Sequence, residues 1–275
     1  MFPFKTALNA STLFPFQLTI LEQIEVAKQA GYDGIELWMR NIEDFLANGG
    51  TVQGIKAALE ESNLSFINAI TFFKWADANR EIKENALEQA EKEMRLLKSL
   101  GCTAIAAPPF GNVAEVPLED IASDFNRLAD IGRKIGIEPI LEFWGKAAKL
   151  STLKEAQLIL AKANRESKVL IDPFHMHLGG SSLFEIKRMH ANEIGVVHVN
   201  DYPDDPSREK LEDRHRVFPG EGISPTKEMA NILAQIEYKG FLSLELFIED
   251  YQGKSALEVA RYGLETMKKA YTVDA

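Results

Sequence analysis

The sequence predicts a closed (β/α)8 TIM barrel, a single domain over residues 1–275. Three observations predict it. A unit of amphipathic helix, glycine and short apolar strand recurs along the chain, and strands alternating with helices pair in parallel. Eight such units in 275 residues fit a closed barrel rather than an open sheet. Four of the apolar runs end on residues that bind metals, at the strand end where barrels build their sites.

Taken in order, Lys5 to Leu8 reads as the first strand. Ile20 to Ala30 is an amphipathic helix that passes through Gly31 into the strand Gly34 to Trp38, and Ser65 to Ile70 forms a third strand between two helices. Ile82 to Leu100 predicts a long helix with Ile82, Ala86, Ala90, Met94 and Leu97 on its buried face, three or four residues apart. Gly101 then stops that helix, as Gly31 stops the earlier one, before Thr103 to Ala107. The rhythm continues through Ile121 to Ile135, Gly136 and Ile137 to Phe143, then through Leu153 to Ala163 and Val169 to Asp172. Leu183 to Asn192, a helix that includes His190, precedes the strand Gly195 to Asn200. Ser224 and Pro225 read as N-cap and first residue of a helix to Tyr238. Gly240 and Phe241 to Phe247 give the eighth strand, and Ala256 to Ala270 closes the chain. The polar connection from Asp201 to Gly222 is too long for a simple turn and reads as a lid or substrate-contact loop.

Composition narrows the function classes. With 45% hydrophobic and 26% charged residues the chain is ordinary globular protein. A net charge of -10 argues against a nucleic-acid or anionic-membrane partner. One cysteine, Cys102, excludes an intrachain disulfide and suits a reducing compartment as a buried core residue. Without a leader pattern or an apolar run of membrane-spanning length, a soluble cytoplasmic protein is expected.

The strand tips carry the chemistry. Glu142, Asp172, His198 and Glu245 end strands five to eight, and a barrel brings all four to one mouth. A glutamate in an apolar strand is costly to bury unpaired, and four such tips together suit one divalent metal. A metal chelating a polyol or sugar through its carbonyl and adjacent hydroxyl stabilises the enediolate formed on deprotonation. Glu142 and Glu245 then serve as the acid/base pair, one abstracting a proton and the other returning it. Isomerisation or epimerisation follows. Glu36, Trp38, Asn9, Asn68 and Trp144 also fall near the mouth, where Trp38, Phe72, Phe73, Trp75 and Trp144 either wall a sugar site or pack the barrel. His177 orients a ligand or contacts substrate, His190 and His215 read as structural or exposed, and Lys146 has no role legible in the sequence.

The segments Leu141-Glu142-Phe, Asp172-Pro-Phe-His175-Met-His177, His198-Val-Asn-Asp201, Arg216-Val-Phe-Pro-Gly-Glu-Gly222 and Glu245-Leu-Phe resemble the xylose-isomerase-like sugar isomerase/epimerase superfamily. Within it the chain is most similar to the inosose (2-keto-myo-inositol) isomerases. The resemblance implies Glu142, Asp172, His198 and Glu245 as ligands of Mn2+, with Mg2+, Co2+ and Zn2+ as alternatives. It implies His175 and Arg216 on substrate oxygens and a keto-inositol, keto-sugar or other polyol as substrate; His177, Trp144 and Glu36 are further candidate substrate contacts from their places at the mouth alone. A metal-dependent dehydratase of the 3-dehydroshikimate type is the alternative on this fold. Apurinic endonucleases share the barrel but need more histidines, and Arg216 stands where they carry one. A homodimer or homotetramer is the expected assembly.

Overall fold

Helix α1 (Ile20–Ala30) shows how local sequence writes one unit of the fold. Thr19 accepts the Glu22 N–H while the Glu22 carboxylate accepts the Thr19 N–H, a reciprocal cap that fixes the start. Gly31 ends the helix at φ 90°, a left-handed conformation only glycine adopts without strain. The computed structural model describes residues 1–163 and 167–274. Eight strands run β1 (Lys5–Asn9), β2 (Gly34–Trp38), β3 (Ser65–Ile70), β4 (Ala104–Ala107), β5 (Glu138–Glu142), β6 (Lys168–Ile171), β7 (Ile194–Val199) and β8 (Phe241–Leu244). They pair in parallel in that order, and β8 returns to β1. The barrel is closed, as the repeat predicts.

Around it lie α2 (Met39–Ala47), α3 (Val52–Ser62), α4 (Arg80–Ser99), α5 (Leu118–Ile135) and α6 (Leu153–Lys162). Beyond β6 follow α7 (Pro173–Gly179), α8 (Leu183–Lys187), α9 (Thr226–Gln235) and α10 (Ala256–Ala270). Ala86, Ala90, Met94 and Leu97 of α4 are buried as their spacing requires, whereas Ile82, in the capped first turn, is 38% exposed. Cys102 is fully buried, and burial pushes its thiol up to about 12. Among the described residues no helix is long and apolar enough to cross a membrane.

Three sequence expectations are corrected. The segment from Leu183 to Asn192 is not one helix, because α8 stops at Lys187 and a separate 3-10 turn covers Ala191–Glu193. His190 is therefore exposed in a connection, its N–H donating to Glu193 at 2.6 Å, a local bond that competes with helix propagation. Ser224 does not cap α9: its own N–H donates to Asp201 Oδ1 at 2.8 Å, and the helix begins at Thr226 and ends at Gln235, short of Tyr238. Strands β6 and β8 end one and three residues before the predicted Asp172 and Phe247. Asp172 leaves the ladder to cap α7.

Glu93 on α4 yields a stability prediction. Burial, with Glu43 nearby, lifts its carboxyl to about 7 against a hydrogen bond from Gln89. The unfolded chain ionises this group first, so native stability falls as pH rises from about 4.5 to about 7. Glu93→Gln removes that penalty. It is expected to raise stability by on the order of 1–2 kcal/mol at pH 8, after discounting for solvent screening, and to give no gain at pH 4. Urea denaturation at both pH values checks this, and an equal effect at the two would refute it.

Candidate metal centre at the barrel mouth

Each strand tip reaches the mouth through a local device. At the end of β6, Asp172 divides its oxygens: Oδ1 accepts the N–H groups of Phe174 (2.8 Å) and His175 (3.4 Å) and the Asn200 amide (3.1 Å). Pro173 occupies the first position of α7, where no N–H is needed. The turn-forming role and the site role therefore coexist in one side chain, because Oδ2 points the other way. It accepts Arg216 Nη1 at 2.7 Å and lies 3.6 Å from His198 Nδ1. Glu245, just past β8, accepts the Asn9 amide on Oε1 (3.0 Å) and Arg216 Nη1 on Oε2 (2.9 Å).

His198 is fully buried in β7. Its Nδ1 lies 3.0 Å from Glu245 Oε2 yet makes no well-directed hydrogen bond. Its Nε2 faces Glu36, 3.1 Å from Oε1. Ligand atoms of Asp172, His198 and Glu245 lie within 4.8 Å of one another. An orphaned imidazole nitrogen between two carboxylate oxygens fits a divalent cation. Glu142, expected as the fourth ligand, falls outside this group. Burial, with Glu245 and Asp172 nearby, pushes its carboxyl up to about 8 despite His198 and a Trp144 hydrogen bond.

The other charges follow the same logic. Burial alone would raise Asp172, but Arg216, His175 and His198 hold it well below the usual carboxylate range. Burial opposes a charged His198, yet the Glu245 and Glu36 carboxylates carry it well above the ordinary imidazole value. His175 drops to about 4, chiefly through burial, and is neutral at pH 7.

Arg216 arrives from the long connection after β7, which is folded onto the mouth. Asp201 holds that connection: its backbone pairs with Val217, and its carboxylate accepts the N–H groups of Tyr202, Gly220 and Ser224. Gly222 lies so close that a Cβ there would meet Tyr202 O at 2.2 Å. Lys146 donates to the carbonyls of Leu211 and Glu209, tying the loop after β5 to the same segment. The guanidinium, 1% exposed, donates through Nε and Nη2 to Asp213 Oδ1 at 3.1 and 2.8 Å. It lies 4.6 Å from the Phe174 ring and 5.2 Å from that of Phe247. With Nη2 also 3.4 Å from His175 Nε2, all of its nitrogens have partners.

A cavity of about 280 Å3 opens over this cluster, lined by Trp38, Ile70, Phe72, Glu142, Trp144, His175, Asp213, Arg216, Glu245 and Phe247. The aromatic residues expected at the mouth divide. Trp38, Phe72 and Trp144 line the cavity, while Phe73 and Trp75 are core, with Trp75 Nε1 donating to Pro108 O. Two residues expected on substrate lie elsewhere. His177 stacks on Tyr202 at 4.2 Å between centroids and lines a separate cavity with Arg208, because it follows His175 by two positions on α7. Glu36 is fully buried behind His198 and does not line the cavity. His215 is half-buried, its Nδ1 accepting the Glu212 N–H. Ile70, Asp213 and Phe247 are the lining residues that sequence reading missed. Asp213 sits three residues before Arg216 in a polar loop, where no periodicity singles it out.

A closed parallel barrel with acids, imidazoles and one arginine gathered beyond its strand ends defines a (β/α)8-barrel enzyme. The chain belongs to the xylose isomerase-like TIM barrel family, which residues 24–270 match. Inosose isomerase of Bacillus licheniformis is 28% identical over 257 residues, covering 90% of this chain and 91% of that protein. A 3-dehydroshikimate dehydratase of Pseudomonas aeruginosa is also 28% identical over 90% of this chain, but the match spans only 39% of that longer protein. A crystal structure of the IolI protein with a zinc atom bound superposes with a TM-score of 0.87 at 23% identity, over 98% of both chains.

Proposed function

We propose that this protein is a divalent-metal-dependent isomerase or epimerase of an uncharged keto-inositol or keto-sugar. The observation that carries the reading is the pair of buried glutamates, Glu142 and Glu245, lining one small cavity from different strands beside the orphaned His198 nitrogen. Asp172, His198 and Glu245 would hold the cation, with Glu142 completing the set and Mn2+ the preferred ion. When bound, it supplies Lewis-acid polarisation of the substrate carbonyl. One glutamate accepts the proton from the carbon beside the carbonyl, leaving an enediolate, and the other delivers a proton to the neighbouring carbon or to the opposite face. Asn9 and Arg216 each hold one oxygen of Glu245, which fixes its approach to the substrate. Trp38, Phe72, Trp144 and Phe247 wall the cavity with apolar surface suited to the C–H faces of a ring and exclude water from the exchanging proton.

Charge separates this reading from the dehydratase alternative. A 3-dehydroshikimate substrate carries a carboxylate, and among the described lining residues the only Lys or Arg is Arg216. Its donors are taken by Asp172, Glu245 and Asp213, so an incoming carboxylate would find no free side-chain cation and three anionic neighbours. Incubation with Mn2+ in D2O against a panel of keto-inositols, ketoses and 3-dehydroshikimate tests both. Solvent deuterium is expected in a neutral ketone, with no aromatic product from 3-dehydroshikimate; aromatic product without exchange into any ketone overturns the proposal.

A further inference from the structure

Glu36 of β2 is fully buried, and its charge faces the barrel interior, where apolar residues usually stack. Four polar side chains meet it there. Asn68 donates its amide to Oε2 at 2.6 Å, Asn9 donates to Oε1 at 3.5 Å, and His198 Nε2 lies 3.1 Å from Oε1 and 3.3 Å from Oε2. Ser243, register partner of His198 on β8, lies beside this carboxylate. Strand register sets the arrangement: Asn9 pairs with Glu36 and Glu36 with Asn68. The same Asn9 amide holds Glu245, and its Oδ1 accepts Trp38 Nε1 at 2.8 Å.

We propose that Glu36 is a positioning residue for the metal centre, acting through His198 rather than on substrate. A carboxylate accepts only, so Nε2 keeps its proton on Glu36, and Nδ1 is the nitrogen that would give up its proton to bind a cation between Asp172 and Glu245. Asn68 and Asn9 grip both oxygens of Glu36, which fixes the plane of the imidazole as well as its tautomer. This is the arrangement in which an outer carboxylate raises the basicity of a metal-binding histidine. Through Asn9 the network also ties the imidazole to Glu245 and to the Trp38 wall, so metal-binding and proton-transferring groups share one buried scaffold.

The inference rests on the reading that Asp172, His198 and Glu245 hold a cation, and the test separates the two. Mn2+ binding to metal-stripped protein is titrated by electron paramagnetic resonance for the unsubstituted chain, Glu36→Gln and Glu36→Met, alongside thermal midpoints without metal. Glutamine keeps the volume and one oxygen acceptor; methionine keeps the volume and no oxygen, only a weakly accepting thioether. Mn2+ affinity is expected to fall roughly tenfold in Glu36→Gln and up to about a hundredfold in Glu36→Met. The Glu36→Gln midpoint should stay within a few degrees of the unsubstituted value, and its visible Co2+ spectrum should shift, which a merely structural role would not produce. Equal Mn2+ affinity in Glu36→Gln and the unsubstituted chain overturns the positioning role. An unsubstituted chain that takes up no Mn2+ overturns the metal reading beneath it.

Discussion

Glu245→Gln is expected to lower turnover at least about a thousandfold, the scale of a lost general acid/base in the transition state, while the protein stays folded. The side chain is 5% exposed and fills its space against Asn9, Arg216 and His198. Glutamine has the same shape and can still accept from Asn9, and Arg216 keeps Asp172 and Asp213 as partners. What it cannot do is take or return a proton. Glu142→Gln is expected to reach a similar loss of product by a different route. Two acids dividing abstraction and return leave different residues of activity, so in one of the two variants solvent deuterium still enters substrate although product does not form. Proton NMR of recovered substrate in D2O, run beside product assays, reads this. Undiminished turnover in Glu245→Gln would sink the acid/base pair.

Arg216→Met carries the largest expected cost in stability, about 3–5 kcal/mol, the range for removing one partner of a buried charge cluster. The guanidinium neutralises Asp172 and Glu245, both buried, and methionine retains contact with Phe174 and Phe247 but supplies no charge. The sign of the pH dependence follows from Asp172. With its folded pKa held down, largely by Arg216, that carboxylate stabilises the native state above about pH 4, its unfolded value, and the contribution is lost as pH falls through the lower folded value. The deficit of the variant should therefore be full at pH 7 and shrink toward pH 3. Urea denaturation across that range checks it. A deficit independent of pH would mean that Arg216 acts through packing alone.

Much of the candidate site was legible because the signals are local. A carboxylate or imidazole closing an apolar run marks a strand tip whatever surrounds it, and a barrel topology sends every tip to one mouth; Glu142, Asp172, His198 and Glu245 are found this way. Glycine at a helix end announces itself by conformation, so Gly31, Gly101 and Gly136 punctuate the chain as read. Helix interiors without such punctuation were harder. The segment after Leu183 carries helical periodicity, yet the bond between the His190 N–H and Glu193 breaks it.

The sequence by itself therefore determined the closed barrel, the order of its units and the acids and histidine at its mouth. Only the tertiary structure decided which way each side chain turns. A period of two along a strand does not say that Glu36 meets His198 from across the barrel, nor a helical period that His175 enters the cavity while His177 stacks on Tyr202. The loop arginine is the strongest case. Arg216 reaches two strand tips only because Asp201 and Lys146 fold its loop over the mouth. The energies that choose among these arrangements are pairwise, burial against charge between residues far apart in the chain, and they exist only once the barrel has closed.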